Sequence, residues 1–409
     1  MPDKPGALIV ATMDTKGREA RYVEARLREA GLSPLVMDGG IRGECEGPTA
    51  VHRETVARAG GLPLAKVREL GHEGRALSVM VAGAVRLARE MFERKEFQGV
   101  ICLGGSMGTT LGTAVLRSLP LGVPKVMVST MASRDTRAFV GTKDILMLHA
   151  VCDLAGLNRL TRRVLRNGAL ALAGMLNGPA AEVDSDRPLA ALSTLGTTEV
   201  TAMRLRALLD ARGWEVVTFH TVGAGGQAMD EMIRDEDVRA VIDLSLHELL
   251  DHRFGGDYDA GPERGLAALR KGSPAVLVPG NIDFLVTGPE RAALAKFPGR
   301  PYHMHNDAIT VVRADRGEIA AVGRALAGML AEAAGPVHLA VPLGGFSAFD
   351  HPSGGPLPDP EAPAIFLEAL GSSLRREVPL TVFPGHVNDP EFADLLVEIL
   401  GDLGGGHEN

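Results

Sequence analysis

The stretch VICLGGSMGTT, Val100 to Thr110, decides the fold, because an apolar run passes straight into a loop of glycines and hydroxyl residues. VICL suits a strand buried on both faces of a parallel sheet. Gly104, Gly105 and Gly108 let the backbone turn tightly and approach a ligand, and Ser106, Thr109 and Thr110 add hydroxyl donors. A helix predicted over 109–119 then begins where its free N–H groups can hold an anion. The alternative is a bare strand-to-helix turn whose glycines only permit packing. No Gly-Lys-Ser/Thr ending and no good GxGxxG spacing is present.

Outward from this loop, strands predicted at 7–13, 32–38, 99–103, 123–130 and 145–151 alternate with helices at 15–30, 76–95 and 158–176. That alternation is the pattern of a doubly wound parallel sheet. NGPAAEVDSDRP, at 177–188, has the composition of a linker. The first half then starts again: residues 189–220 echo 8–38, with Thr194, Thr197 and Gly213 standing 182 positions after Thr12, Thr15 and Gly31. AVIDLS (240–245) answers VICLGG, and PAVLVPGN (274–281) answers PKVMVST. Further strands at 337–343 and 380–385 and helices at 360–370 and 390–400 follow. The expected fold is α/β, with two Rossmann-like doubly wound parallel-sheet lobes and a cleft between them. The boundaries are an N-terminal nucleotide-binding lobe at 1–180, a linker at 181–188, a C-terminal lobe at 189–402 and a disordered tail at 403–409.

Composition narrows the function classes. At 409 residues the chain holds roughly two or three domains. A net charge of −8 and 4% aromatic residues argue against a nucleic-acid partner. Three cysteines fit a reducing cytosol rather than a disulfide framework. No apolar run reaches the roughly 18 residues of a membrane helix. A cytoplasmic protein without a membrane partner is expected, and a homodimer is the commonest default.

Ligands of open α/β sheets bind beyond the carboxyl ends of the strands. In lobe one those ends supply Asp14, Thr15 and Lys16, then Gly104, Gly105 and Ser106, then Ser129 and Thr130, with Gly141, Thr142 and Asp144 expected over the same edge. Lys16 would neutralise phosphate, and Asp14 or Asp144 would hold Mg2+ through water. Helix capping is the alternative for Asp14 and Thr15. Arg159, Arg162 and Arg163 open a helix against its dipole, so they either face an anionic ligand or pair with surface carboxylates. Lobe two lacks the glycine loop and carries a His/Asp/Glu cluster. His247 and Asp251, like Glu248 and His252, are four apart on a predicted helix. His303, His305, Asn306 and Asp307, then Ser347, Asp350 and His351, then His386, Asn388 and Asp389 follow at strand ends. Such residues suit acid–base catalysis or a divalent metal, although no HExxH or CxxC spacing occurs. Hydrogen-bonded loop anchoring is the alternative.

The ordered motifs ATMDTKG (11–17), LGGSMGTT (103–110), VPKVMVSTMAS (123–133), VGTKDI (140–145), DLAGLNRLTRRVL (153–165), ELLDHRFGG (248–256), VPGNIDF (278–284), HMHNDAITV (303–311), PLGGFSAFD (342–350) and HVNDPEFA (386–393) span nearly the whole chain. Together they resemble an uncharacterised protein family whose plant relative is the tomato mosaic virus resistance protein. The resemblance implies two Rossmann-like lobes with ATP bound by the first. It assigns Asp14, Thr15, Lys16, Gly104, Gly105, Ser106, Gly108, Thr109, Ser129, Thr130, Gly141 and Thr142 to nucleotide contacts. His247, in place of a small hydroxyl residue, and Gly344, at a commonly basic position, depart from the family pattern. The expected function is an ATP-binding, two-lobed protein acting on a small anionic metabolite in the interlobe cleft. Mg2+ would assist, and Glu248, Asp251, His305 and His386 would form the catalytic group. Two alternatives remain: a non-catalytic nucleotide-binding or regulatory module, and a nucleotide-independent metal or acid–base hydrolase or lyase using lobe two.

Overall fold

The computed structural model describes residues 4–179 and 186–404, which fall into two compact units, 1–182 and 183–409. The expected linker at 181–188 lies outside the described residues apart from 186–188, and the expected tail apart from 403–404.

In the N-terminal unit, β1 (Gly6–Ala11), β2 (Ser33–Asp38), β3 (Gly99–Gly104), β4 (Lys125–Ser129) and β5 (Leu146–His149) form one parallel sheet in the order β2-β1-β3-β4-β5. Every residue of β1, β3 and β4 is buried, as the continuous apolar runs require of strands covered on both faces. Alternate side chains serve the two layers. Ile9, Ile101 and Val128 pack with Val23, Leu27 and Leu165 from helices Met13–Glu29 and Arg159–Asn177. Leu8, Val10 and Cys102 pack with Met80, Ala84, Leu111 and Val115 from helices Glu73–Glu93 and Ser106–Arg117. The last helix starts three residues before its predicted position. Gly105 is its extended N-cap, and Thr109 N–H makes the first helical bond, to the Gly105 carbonyl at 2.8 Å.

The C-terminal unit holds β6 (Leu189–Thr194), β7 (Glu215–His220), β8 (Val238–Ser245), β9 (Ala275–Gly280), β13 (Val337–Pro342) and β14 (Leu380–Phe383) in a parallel sheet ordered β14-β13-β9-β8-β6-β7. The first four strands of each unit share one order, with the second strand outside the first and the third and fourth on its other side. Inserted between β9 and β13 is an antiparallel sheet of β10 (Phe284–Thr287), β12 (Ile309–Arg313) and β11 (Tyr302–Asn306), which the sequence reading missed. Its strands are short, and β11 is largely exposed, so the apolar period is weak there. No helix among the described residues is long and apolar enough to cross a membrane.

At Gly104 the loop after β3 folds back onto its own helix. A Cβ there would stand 2.6 Å from Gly108 Cα and 2.9 Å from its carbonyl carbon, both backbone atoms that cannot swing aside. Gly104→Ala is therefore expected to cost about 1–3 kcal/mol, measured as a lower urea midpoint of the purified protein.

Candidate functional site

The chain leaves β1 into a helix on one face of the N-terminal sheet and β3 into a helix on the other, so the two loops part at the carboxyl edge. In a sheet of this order that parting is where ligands bind. A cavity of about 370 Å³ lies there, within the range of small-molecule sites. Its lining joins Thr12, Asp14, Thr15 and Lys16 after β1, Gly39, Ile41 and Arg42 after β2, and Gly105, Ser106, Met107 and Gly108 after β3. Val67, Arg68, Gly71, His72, Glu73, Ala76 and Leu77 complete the wall. Three helices, starting at Met13, Glu73 and Ser106, therefore open into one space.

Those openings carry positive partial charge. The N–H groups of Ser106, Met107 and Gly108 find no acceptor among the described residues, and Gly105 supplies no side-chain cap. Lys16 breaks the regular helix at φ −126°, ψ 19°, and its ammonium has no partner among the described residues. Arg68 is steadied by donating from Nε to the Ile41 carbonyl at 2.7 Å, which leaves its terminal nitrogens free. Arg42 stands 3.8 Å from Glu73. Asp14 Oδ2 accepts from Ile41 N–H at 3.1 Å and Arg42 N–H at 2.9 Å, while its buried Oδ1 has no partner. The combination suits an anion that also presents a hydrogen-bond donor or carries a cation. Arg42, Arg68, His72 and Glu73 were missed from sequence; His72, an N-cap whose ring accepts from Gly74 N–H, was the available signal.

Of the residues expected to touch nucleotide, Asp14, Thr15, Lys16, Gly105, Ser106 and Gly108 line the cavity. The others do not. Thr109 Oγ1 is buried and spent on the Gly105 carbonyl at 2.7 Å and on Ser129 Oγ at 2.6 Å, and Ser129 Oγ also accepts from Met131 N–H. Gly104 packs on Gly108, and Thr130 is joined through its N–H to the Gly104 carbonyl beside the cavity. Gly141, and with it Thr142, is placed against Arg117, at the opposite end of the helix that Ser106 begins. Asp144 is corrected as a magnesium ligand: it pairs with Lys125 at 2.7 Å and accepts from Gly122 N–H, at the amino end of β4. No cluster of three or more His, Cys, Asp or Glu residues able to hold a metal occurs among the described residues.

The catalytic group expected in the C-terminal unit is not brought together. Glu248 is buried, and both of its oxygens are used: Oε2 takes Arg264 Nε at 2.5 Å, and Oε1 accepts from Gly223 and Gly226 N–H at the start of helix Ala224–Asp235. Arg264 is itself buried and grips Asp243 with two bonds of 2.7 Å, so Glu248 and Asp243 are its counter-ions. Asp251 is equally enclosed, accepting from Tyr258 N–H at 2.9 Å and facing His247 Nε2 at 3.2 Å. His252 turns to Asp259 instead of Glu248. His305 is exposed on β11, and no hydrogen bond or ion pair joins it to the other three among the described residues. His386 is buried in a loop clamp, with Nε2 donating to the Ser347 carbonyl at 2.9 Å and Nδ1 accepting from Asn388 N–H at 3.0 Å. Beside it, Asp283 accepts from Ser347 Oγ at 2.6 Å, and burial together with the nearby Asp350 carboxylate pushes its carboxyl well above the usual range. Loop anchoring, the alternative reading, describes Glu248, Asp251 and His386.

Two expectations follow from these buried charges. Arg264→Ala strands two carboxylates and should cost about 3–5 kcal/mol in a chemical-denaturation experiment. Burial depresses the His247 imidazole, but the Asp251 carboxylate, the Asn281 carbonyl and Glu248 outweigh it and leave the pKa raised. The pair therefore stabilises the fold fully below about pH 6.5, and the contribution fades as pH rises through the raised value. Melting curves of the wild type and His247→Gln should converge with rising pH; a gap that widens toward alkaline pH contradicts the assignment.

Residues 5–181 match the N-terminal domain, and 187–403 the C-terminal domain, of the uncharacterised protein family UPF0261. A UPF0261 protein of Clostridium tetani is 34% identical over 386 residues, covering 94% of this chain and 96% of that protein. The ToMV susceptible protein tm-1(GCR26) of Solanum lycopersicum is 32% identical over 332 residues, which are 80% of this chain and 44% of the tomato protein. Among solved structures, a UDP-N-acetylglucosamine 2-epimerase aligns over 68% of this chain and 79% of its own with a TM-score of 0.26 and 10% identity, a likeness too slight to carry an argument. Both halves of the sequence, matched in order along the chain, place it in the uncharacterised protein family UPF0261.

Proposed function

We propose that the N-terminal unit binds a nucleotide, ATP, in the cavity beyond β1 and β3. The observation that carries this reading is the convergence of three helix N-termini on a space of about 370 Å³ beside two cations, Lys16 and Arg68, that have no carboxylate partner among the described residues. The N–H groups of Ser106, Met107 and Gly108 would hold phosphate oxygens, and Lys16 and Arg68 would offset their charge. Ile41, Val67, Ala76, Leu77 and Met107 offer apolar surface for a base. Asp14, which lines the cavity and whose Oδ1 has no protein donor among the described residues, is the residue that would hold Mg2+ through water.

A binding module is favoured over a catalyst by the state of the C-terminal carboxylates. Glu248 and Asp251 are already saturated by Arg264 and by backbone N–H groups, so neither offers an oxygen to a substrate. A nucleotide-independent hydrolase or lyase built on them loses its acid–base pair for the same reason.

Isothermal titration of the stripped protein with ATP, with and without Mg2+, tests the site, and assaying the same sample for ADP tests turnover. Micromolar binding without ADP is the expected result. Ser106→Trp fills the mouth of the Ser106 helix, and Lys16→Glu reverses a charge; each should weaken binding at least about tenfold, or ~1.4 kcal/mol. ATP affinity unchanged in both variants would place the nucleotide elsewhere.

A further inference from the structure

We infer that the outer face of helix Arg159–Asn177 is a docking surface for the acidic C-terminal unit of a second copy of this chain. Arg159, Arg162, Arg163 and Arg166 stand at i, i+3, i+4 and i+7, so they form one stripe, and all four are exposed. The opposite face, with Thr161, Val164, Leu165 and Ala169, is buried against the sheet. Leu170, 42% exposed, prolongs the stripe by one turn.

The arrangement is electrostatically unfavourable as it stands. Like charges repel at these spacings, and cations in the first turns oppose the helix dipole. Other arginines of the unit have carboxylates beside them, Arg21 with Glu24, Arg26 with Glu29, Arg86 with Glu90 and Arg94 with Glu96, and those without an ion pair among the described residues, such as Arg58, Arg68 and Arg75, do not line up on one helix face. Along the stripe no carboxylate answers among the described residues. Arg159, Arg163 and Arg166 take part in no ion pair or hydrogen bond among the described residues, and Arg162 only stacks on Tyr22, 5.4 Å from its centroid. Pairing with surface carboxylates, one of the two readings of these arginines from sequence, is therefore not what the structure shows.

The charge of the whole chain identifies the occupant. The overall −8 divides unevenly: residues 1–182 hold 25 basic and 18 acidic residues, net +7, whereas 183–409 hold 18 and 33, net −15. Each copy thus carries both a basic face without counter-ions and a strongly acidic unit. In a twofold pair of copies the contact is made twice and closes. A nucleic acid is the weaker candidate, because the chain as a whole repels polyanions and the one aromatic ring at the stripe is already covered by Arg26 and Arg162.

Sedimentation velocity of the full chain at 50 mM and 500 mM NaCl tests this, with Arg163→Glu/Arg166→Glu as the variant. Both side chains are exposed and unpaired, so the variant should keep the wild-type melting temperature. The expected outcome is a dimer at low salt that dissociates at high salt, with the dimer constant weakened at least tenfold in the variant. Amide exchange should then show protection of 159–170 and of segments in 186–404 that the variant loses. A wild type monomeric at both salts, a dimer indifferent to the variant, or protection confined to the N-terminal unit would each overturn the inference. So would loss of binding to a labelled oligouridine in the variant with an unchanged oligomeric state.

Discussion

Val10 stands opposite Cys102 in the β1–β3 ladder, so these adjacent strands of the N-terminal unit end within a residue or two of each other at the same edge of the sheet. Their helices then depart on opposite faces, and the edge between them cannot be covered by either. The cavity, its unanswered N–H groups and its placement of Lys16 and Arg68 all depend on that pairing. Were the chain to continue on one face after both strands, the helix openings would stack side by side and bury their own donors.

The C-terminal unit repeats the strand order but closes the equivalent edge with its own side chains. Ser245, where the glycine loop stood in the first unit, is bonded to Thr221 at 2.8 Å and to Asn281 Nδ2 at 2.8 Å. Asn281 Nδ2 also reaches Thr198, and Thr197 Oγ1 donates to Asn281 Oδ1. The left-handed Asn281, at φ 61°, presents its carbonyl to the ring of His247. Polar residues at strand ends thus do opposite things in the two units. In one they leave donors open to a ligand; in the other they satisfy each other, which a buried polar group requires when water is excluded.

The same contrast governs charge. Arg264 is wholly buried and neutralised by Asp243 and Glu248, so removing one partner matters far more than the presence of the set. The stripe from Arg159 to Arg166 is exposed and unneutralised within its own unit. Surface charge without a counter-ion is cheap to solvate singly, but four in a row against a helix dipole is a local conflict of the kind that marks an interaction surface.

Sequence by itself determined the fold class and the order of the parallel strands, but not the antiparallel insert. Buried parallel strands demand unbroken apolar runs, and GALIVA, GVICLG and KVMVS carry them, while the 182-residue echo marked the repeated topology. It also located a third of the cavity lining, because Asp14, Thr15, Lys16, Gly105, Ser106 and Gly108 sit where strand-to-helix turns must. Only the tertiary structure decided which polar residues are open. Glu248 and Lys16 look alike in sequence as charged residues near strand ends, yet Arg264 lies 16 residues beyond Glu248, and no carboxylate among the described residues reaches Lys16. Likewise Arg68 enters the cavity from a segment without periodicity, and Asp144 leaves it for Lys125 at the other end of the sheet. Periodicity records which side chains are buried along one element, whereas partners come from distant elements, and a charge is functional or structural according to its partner.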